Sequence, residues 1–376
     1  MKIVIAMDSF KGSLTAPQAC EAVRRGFAAA GVTSAHLIPM ADGGEGTAEC
    51  LASACNGQLI RESVPALFGV EKSCVYALID DGDTAVIETA MAAGIADLRP
   101  EERDVLRAST YGVGVQIRNA VARGCKKIIV GLGGSATTDG ALGALQALGV
   151  AFYDNEDRLL PLGAGGGMLQ KIVRADASEM ISCPAQIVYA CDVTNPLYGE
   201  RGAAYVYGPQ KGADPETVEF LDRGLRNFAR VLADCFGRDI SLVPGSGAAG
   251  GLCGGLLCAL GGTVQSGFDI LSASAGLEAK IANADLVITG EGKTDRQTAF
   301  GKLPCKVGEL GKKHGVPVIC LSGSVDRSSS ELYEHGVTAL FDTVPAPRTL
   351  EQVMSDAEES LFFTAQNVAR ALVSVK

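Results

Sequence analysis

The sequence predicts an α/β fold in two domains: a Rossmann-like parallel-sheet domain formed by both chain termini, and an inserted mixed α/β domain. Three observations predict it. Near both ends of the chain, short apolar runs stop at polar, glycine-bearing loops and give way to helical patterns, the rhythm of a parallel sheet. Near Pro65 that alternation yields to a hairpin signal and mixed elements. After Phe268 it returns. The expected boundaries are residues 1–66 plus 278–376 for the first domain and 67–277 for the insert.

Lys2 to Met7 reads as a strand buried on both faces, stopping at Asp8-Ser9-Phe10-Lys11-Gly12-Ser13. Thr15 and Gln18 have capping-box spacing, and Ala19, Val23, Phe27 and Ala30 recur at helical spacing, so a helix is predicted over 16–30 with Gly31 at its end. His36 to Met40 predicts a second strand, running into Asp42-Gly43-Gly44-Glu45-Gly46-Thr47; Thr47 to Cys55 predicts a helix stopped at Asn56-Gly57. Cys74 to Ile79 and Thr84 to Glu88 flank Asp80-Asp81-Gly82-Asp83, a hairpin signal.

A helix is expected over Arg107 to Arg123, with Glu101, Glu102 and Asp104 as a solvated first turn of a helix. Lys126 to Val130 predicts a strand feeding Gly131 to Gly140, followed by a helix over Ala141 to Leu148. Val150 to Asp157 reads as strand and turn, and Gln186 to Ala190 as a strand ending at Cys191-Asp192. Asp214-Pro215 starts an amphipathic helix with Val218, Leu221, Leu225, Phe228 and Leu232 on one face. Ile240 to Phe268 has no charged residue, but its glycines and few large apolar side chains predict a buried helix rather than a membrane span. Asp285 to Thr289 predicts a strand ending at Gly290 to Asp295, followed by a helix over Lys302 to His314. Strands over Val316 to Leu321 and Ala339 to Phe341 precede a last helix capped at Thr349, with Gln352 in capping-box position.

The net charge of −10 argues against a nucleic-acid or anionic-membrane partner, while a locally positive loop can still take phosphate. Asp8 interrupts the first apolar run, so no secretory leader is expected. Twelve cysteines without a C-x-x-C, beside three histidines, predict reduced thiols in the cytoplasm and no zinc-like cluster. A monomer or homodimer is expected.

Four strand-end loops stand out: Asp8 to Ser13, Asp42 to Thr47, Gly131 to Gly140 and Gly290 to Asp295. All four combine glycine with carboxylates, the combination phosphoryl transfer needs: amides and lysine for phosphate oxygens, carboxylates for Mg²⁺ and the attacking hydroxyl. Gly292-Lys293-Thr294 is not a P-loop, because Val287 stands where its first glycine belongs. Gly131-x-Gly133-x-x-Ala136, with Asp154 downstream, is a near-fingerprint for a dinucleotide, but Thr137 to Gly140 intervene before any helix. Gly245-x-Gly247-x-x-Gly250 follows Pro244 and a very short apolar run; both matches read as coincidental.

Seven runs, in order along the chain, resemble bacterial glycerate kinase, type I: residues 6–14, 41–47, 131–140, 190–197, 208–212 (Gly-Pro-Gln-Lys-Gly), 247–251 and 287–295. Met7 departs from the proline expected before Asp8. The resemblance implies an ATP-dependent phosphorylation of D-glycerate, on the 2-hydroxyl, in a cleft between two α/β domains. Chemistry then sets candidate roles. Lys11 would meet the substrate carboxylate or a phosphate. Asp8, Asp42 and Asp192 are candidates for base and Mg²⁺ ligands. Glu291 and Asp295 are further metal or hydroxyl contacts, with Asp192 and Asp295 the candidate metal ligands and Lys293 on a nucleotide phosphate. Ser135, Thr137 and Thr138 would donate hydrogen bonds beside the Gly133-Gly134 amides. Ser9, Ser13, Gly43, Gly44, Glu45, Asp139 and Gly290 complete the candidate set. The rival classes are an NAD(P)-dependent oxidoreductase of a small hydroxy acid and a non-catalytic sugar-acid sensor.

Overall fold

In the computed structural model, which describes every residue except Asp42, Val375 and Lys376, the strands run β1 (Lys2–Met7), β2 (Ser34–Leu37), β3 (Gln58–Pro65), β4 (Glu71–Ile79), β5 (Thr84–Glu88), β6 (Lys127–Gly131), β7 (Ala151–Asp154), β8 (Ile172–Asp176), β9 (Gln186–Ala190), β10 (Thr263–Gln265), β11 (Leu286–Gly290), β12 (Val318–Ser322) and β13 (Val337–Asp342). The chain divides into two units. One comprises Met1–Asp42, Glu49–Asn56 and Phe268–Lys376; the other comprises Gly43–Ala48 and Gly57–Gly267.

In the first unit the sheet order is β13-β12-β11-β1-β2, with every described pairing parallel. β11 and β12 are buried throughout and β1 from Ile3 on, as strands in a parallel sheet covered on both faces must be. Helices Ala16–Ala29 and Ala357–Ser374 supply Val23, Phe27, Leu361 and Ala365 to a core shared with Ile3, Ile5, Leu286 and Ile288. The capping boxes at Thr15 and Thr349 both form. The chain leaves β1 toward β2 and leaves β11 toward β12, in opposite directions across the sheet. β1 and β11 therefore flank a topological switch point, where open α/β sheets bind ligands.

In the second unit the sheet order is β10-β9-β6-β5-β4-β3. β3, β4 and β5 pair antiparallel, whereas β5, β6, β9 and β10 are parallel neighbours. The parallel strands end at Glu88, Gly131, Ala190 and Gln265, so their loops share one edge of the sheet. Helix Pro215–Phe236 is capped by Asp214 and buries all five predicted residues. Each such side chain contributes about 1.5–3 kcal/mol by leaving water. Phe228 meets Phe152 with ring centroids 5.4 Å apart.

Several expectations need correction. β3 was missed because its polar and apolar residues do not alternate cleanly; it is a sheet-edge strand that pairs along its whole length with β4. β10 was missed because it has only three residues, and β8 because it buries only Ile172 and carries Arg174 and Asp176. The helix expected from Arg107 starts at Tyr111, and Glu101 and Glu102 lie in a separate 3₁₀ turn, Pro100–Glu102, that Pro100 opens. The second strand begins at Ser34 and ends at Leu37, though Ile38 and Met40 still donate to Ile5 and Met7 carbonyls. The uncharged stretch contains a shorter buried helix, Leu252–Leu260. Among the described residues no helix is long and apolar enough to cross a membrane.

Candidate active site

In the first unit, the Asp8 amide donates to the Gly290 carbonyl at 2.9 Å, holding the start of one candidate loop against the end of β11. The half-buried Asp8 carboxylate accepts the Ser9 amide at 2.7 Å. Phe10 is bonded back to Leu14 and Ser13 Oγ donates to the Phe10 carbonyl, so the turn exposes Lys11 at its tip. The Gly290–Asp295 loop is tied to the loop after β12: Ser324 donates to the Gly292 carbonyl and Thr294 to that of Ser324.

Two acids of this loop are engaged by neighbouring groups of the chain. Glu291 is buried and accepts hydroxyls from Thr298 (2.6 Å) and Thr294 (3.2 Å); burial raises its carboxyl above the usual range, against the pull of those bonds. Asp295 accepts the Gln297 amide at 2.9 Å and lies 3.2 Å from Lys293 Nζ, whose hydrogen bond holds its carboxyl below the usual range. Asp295 caps the turn Arg296–Ala299, while Lys293 extends into solvent.

In the second unit, Gly43, Gly44 and Glu45 precede a turn held by Glu88, whose carboxylate accepts the amides of Gly46 (3.1 Å) and Ala48 (2.6 Å). The sequence reading missed Glu88, although a carboxylate closing a parallel strand marks a ligand edge. Gly133 abuts Gly44 so closely that an added Cβ would lie 2.5 Å from its Cα. Ser135, Thr137, Thr138 and Asp139 are all buried. Asp139 accepts four hydrogen bonds, from the Thr110 amide and hydroxyl (both 2.8 Å) and the Gly143 and Ala141 amides. Burial pushes its carboxyl up against the pull of those donors. It shapes the loop from within, which its position among glycines and hydroxyls did not reveal. The Thr137 and Thr138 hydroxyls are buried and unpartnered among the described residues. Lys211, also missed, is buried and donates from Nζ to the Thr137 carbonyl (2.6 Å) and Ser135 Oγ (3.0 Å). Asp192 is exposed, lines a cavity of about 340 Å³ with Cys191, Thr194, Pro244 and Gln265, and accepts the Gly267 amide at 3.3 Å. Asp42 lies outside the described residues.

The dinucleotide reading finds no support here. After Gly131-x-Gly133-x-x-Ala136 the helix starts only at Leu142, and Asp154 is bonded to Arg158. Among the described residues no disulfide joins the cysteines. Contrary to the spacing argument, Cys305, Glu309 and His335 do cluster, with potential ligand atoms within 4.8 Å of one another. A 2.9 Å His335–Glu309 hydrogen bond accounts for that approach.

Hydroxyls, lysines, carboxylates and close-packed glycine amides at the carboxyl ends of parallel strands define a class: an α/β enzyme that handles phosphate. Sequence comparison is more particular. Residues 3–373 match the Glycerate kinase family. A glycerate kinase of Bacillus cereus is 42% identical, covering 98% of this chain and 97% of its own. The glycerate 2-kinase of Escherichia coli K12 is 37% identical, with 99% and 98% covered. A crystal structure of a protein assigned as glycerate kinase 2 from Salmonella typhimurium LT2 superposes with a TM-score of 0.88 at 38% identity, covering 100% and 98%. The chain belongs to the glycerate kinase family.

Proposed function

We propose that this glycerate kinase, of the type I class, transfers the γ-phosphoryl group of ATP to the 2-hydroxyl of D-glycerate, giving 2-phosphoglycerate and ADP. The observation that carries the choice of hydroxyl is the end-to-end relationship to the Escherichia coli glycerate 2-kinase. Twelve cysteines without a disulfide among the described residues favour a reducing cytoplasm as its compartment.

In this reading Lys11 meets the glycerate carboxylate or a phosphate, and Lys293 a nucleotide phosphate; both are exposed cations on strand-end loops. The Thr137 and Thr138 hydroxyls and the Gly133-Gly134 amides donate to reactant oxygens. Asp8, Asp42 and Asp192 provide the acid that orients the attacking hydroxyl and takes its proton. The candidate Mg²⁺ ligands are Asp192, two residues after β9, and Asp295, which caps the turn Arg296–Ala299; each offers the hard carboxylate oxygens that Mg²⁺ takes. When bound, that ion would neutralise charge on the phosphate oxygens.

The test is ADP release from MgATP with D-glycerate, L-glycerate or no acceptor, followed by phosphorus NMR of the product. D-glycerate-dependent ADP and 2-phosphoglycerate are expected. A 3-phosphoglycerate product would overturn the assigned hydroxyl. Folded protein without glycerate-dependent turnover would overturn the reaction itself.

A further inference from the structure

Lys211 places an amine where water does not reach. It ends the 3₁₀ turn Pro209–Lys211 and is 2% exposed. Among the described residues its ammonium donates to two neutral acceptors, the Thr137 carbonyl and the Ser135 hydroxyl. Asp139 is the acid whose charge acts on it, yet the Asp139 oxygens are taken up by Thr110, Ala141 and Gly143. Burying a charge on neutral partners is costly. A brace between the turn and the loop needs only a neutral donor, so the charge calls for a second reason.

The loop above supplies one. An ammonium that donates to a hydroxyl oxygen leaves that hydroxyl's own proton to point elsewhere. Ser135 is thereby set as a donor, next to the orphaned Thr137 and Thr138 hydroxyls. Donors backed by positive charge are the groups that an anion takes as partners. Burial pulls the Lys211 amine down to about 7, with Asp139 pulling the other way, so an arriving anion would itself stabilise the charged form.

We propose that Lys211 is a positioning residue of the phosphoryl-transfer site: through the Ser135 hydroxyl and the Thr137 carbonyl it orients the Gly133–Thr138 loop and lends it the positive charge that holds an anionic phosphoryl or carboxylate group of a reactant. This rests on the reading that Ser135 and its neighbours face a reactant.

The test is steady-state kinetics of Lys211→Met, Ser135→Ala and the double variant, with thermal unfolding of each. Lys211→Gln, which keeps a neutral donor, stands in should the Met variant not fold. Lys211→Met and Lys211→Gln are each expected to lower kcat/KM by about 10²-fold, as loss of a charge-bearing oxyanion partner does. Ser135→Ala should lower it less, and the double variant should be no worse than Lys211→Met alone, because the serine is already unset. A folded Lys211 variant within twofold of the parent, beside an impaired Ser135→Ala, would overturn the proposal and leave the loop's role standing. Losses that multiply in the double variant would also overturn it, since the lysine would then act independently of Ser135. A silent Ser135→Ala would remove the underlying reading, and the proposal with it.

Discussion

The Glu88 carboxylate and the Ala48 amide meet at 2.6 Å across forty residues of chain, and the Gly46 amide joins them at 3.1 Å. One buried acid thus fixes the turn that follows Gly43, Gly44 and Glu45. Glu88→Ala strands two amides and should cost about 3–6 kcal/mol of stability, at about 1.5–3 kcal/mol for each bond to a charged group. Glu88→Gln should recover part of it. Urea unfolding of both variants checks the order.

Lys11 extends from its turn into solvent, so its removal should leave the fold untouched. Lys11→Ala and Asp192→Asn should each lower kcat/KM by about 10²-fold or more if they touch the reacting groups. Thermal unfolding should match the parent. Near-normal turnover in both folded variants would remove these two residues from the reaction.

The buried Lys211 amine makes stability depend on pH in a defined direction. Folded, it loses its proton at about 7; unfolded, it keeps it until the ordinary lysine value. Between those two points the unfolded chain binds the extra proton, so this group makes stability rise with pH, by up to about 1.4 kcal/mol per pH unit. Below the folded value both states are protonated and the penalty for burying the charge is fully felt. Relative to the parent, Lys211→Met should therefore look best at or below neutral pH, and its advantage should fade toward about pH 10, near the free lysine value. Urea midpoints of the two proteins across that window decide it. A difference that stays constant with pH would contradict the shift.

Gly250 has φ +68°, and an added Cβ would lie 1.9 Å from the Thr137 carbonyl oxygen. Gly250→Ala should cost at least about 1–3 kcal/mol in backbone strain and clash. It should also raise KM by displacing Thr137. A variant with parental stability and KM would show that the two loops do not need this contact.

Much of the fold was legible because local rules and burial agree in it. Thr15, Thr349 and Asp214 cap their helices as their spacing says, and Val218 to Leu232 bury the predicted stripe. β3 was illegible because its apolar residues, Leu59, Ile60 and Val64, break the two-residue alternation of a half-buried strand. In the candidate site, sequence located the loops but not what each side chain does there. Asp139 and Glu291 look like their acidic neighbours, and only three-dimensional packing shows them spent on Thr110, Thr294 and Thr298. Lys211 stands beside Gly212 and close to Pro209, which reads as an exposed turn, so its burial had no local signal. Glu88 closes a strand and resembled any hairpin residue until its partners at Gly46 and Ala48 came into view.

β1 finds its partner very late. Lys2 bonds to Asp285, 283 residues away, and Ile3 to Met7 align with Leu286 to Gly290. During synthesis, a strand meant to be buried on both faces waits while most of the chain is made, with β2 as its earlier neighbour. Nascent protein is therefore exposed to aggregation through this strand, and refolding should slow at the closure of β1 on β11. A chain cut before Leu286 would leave that strand edge bare, the kind of product a cell hands to chaperones or proteases.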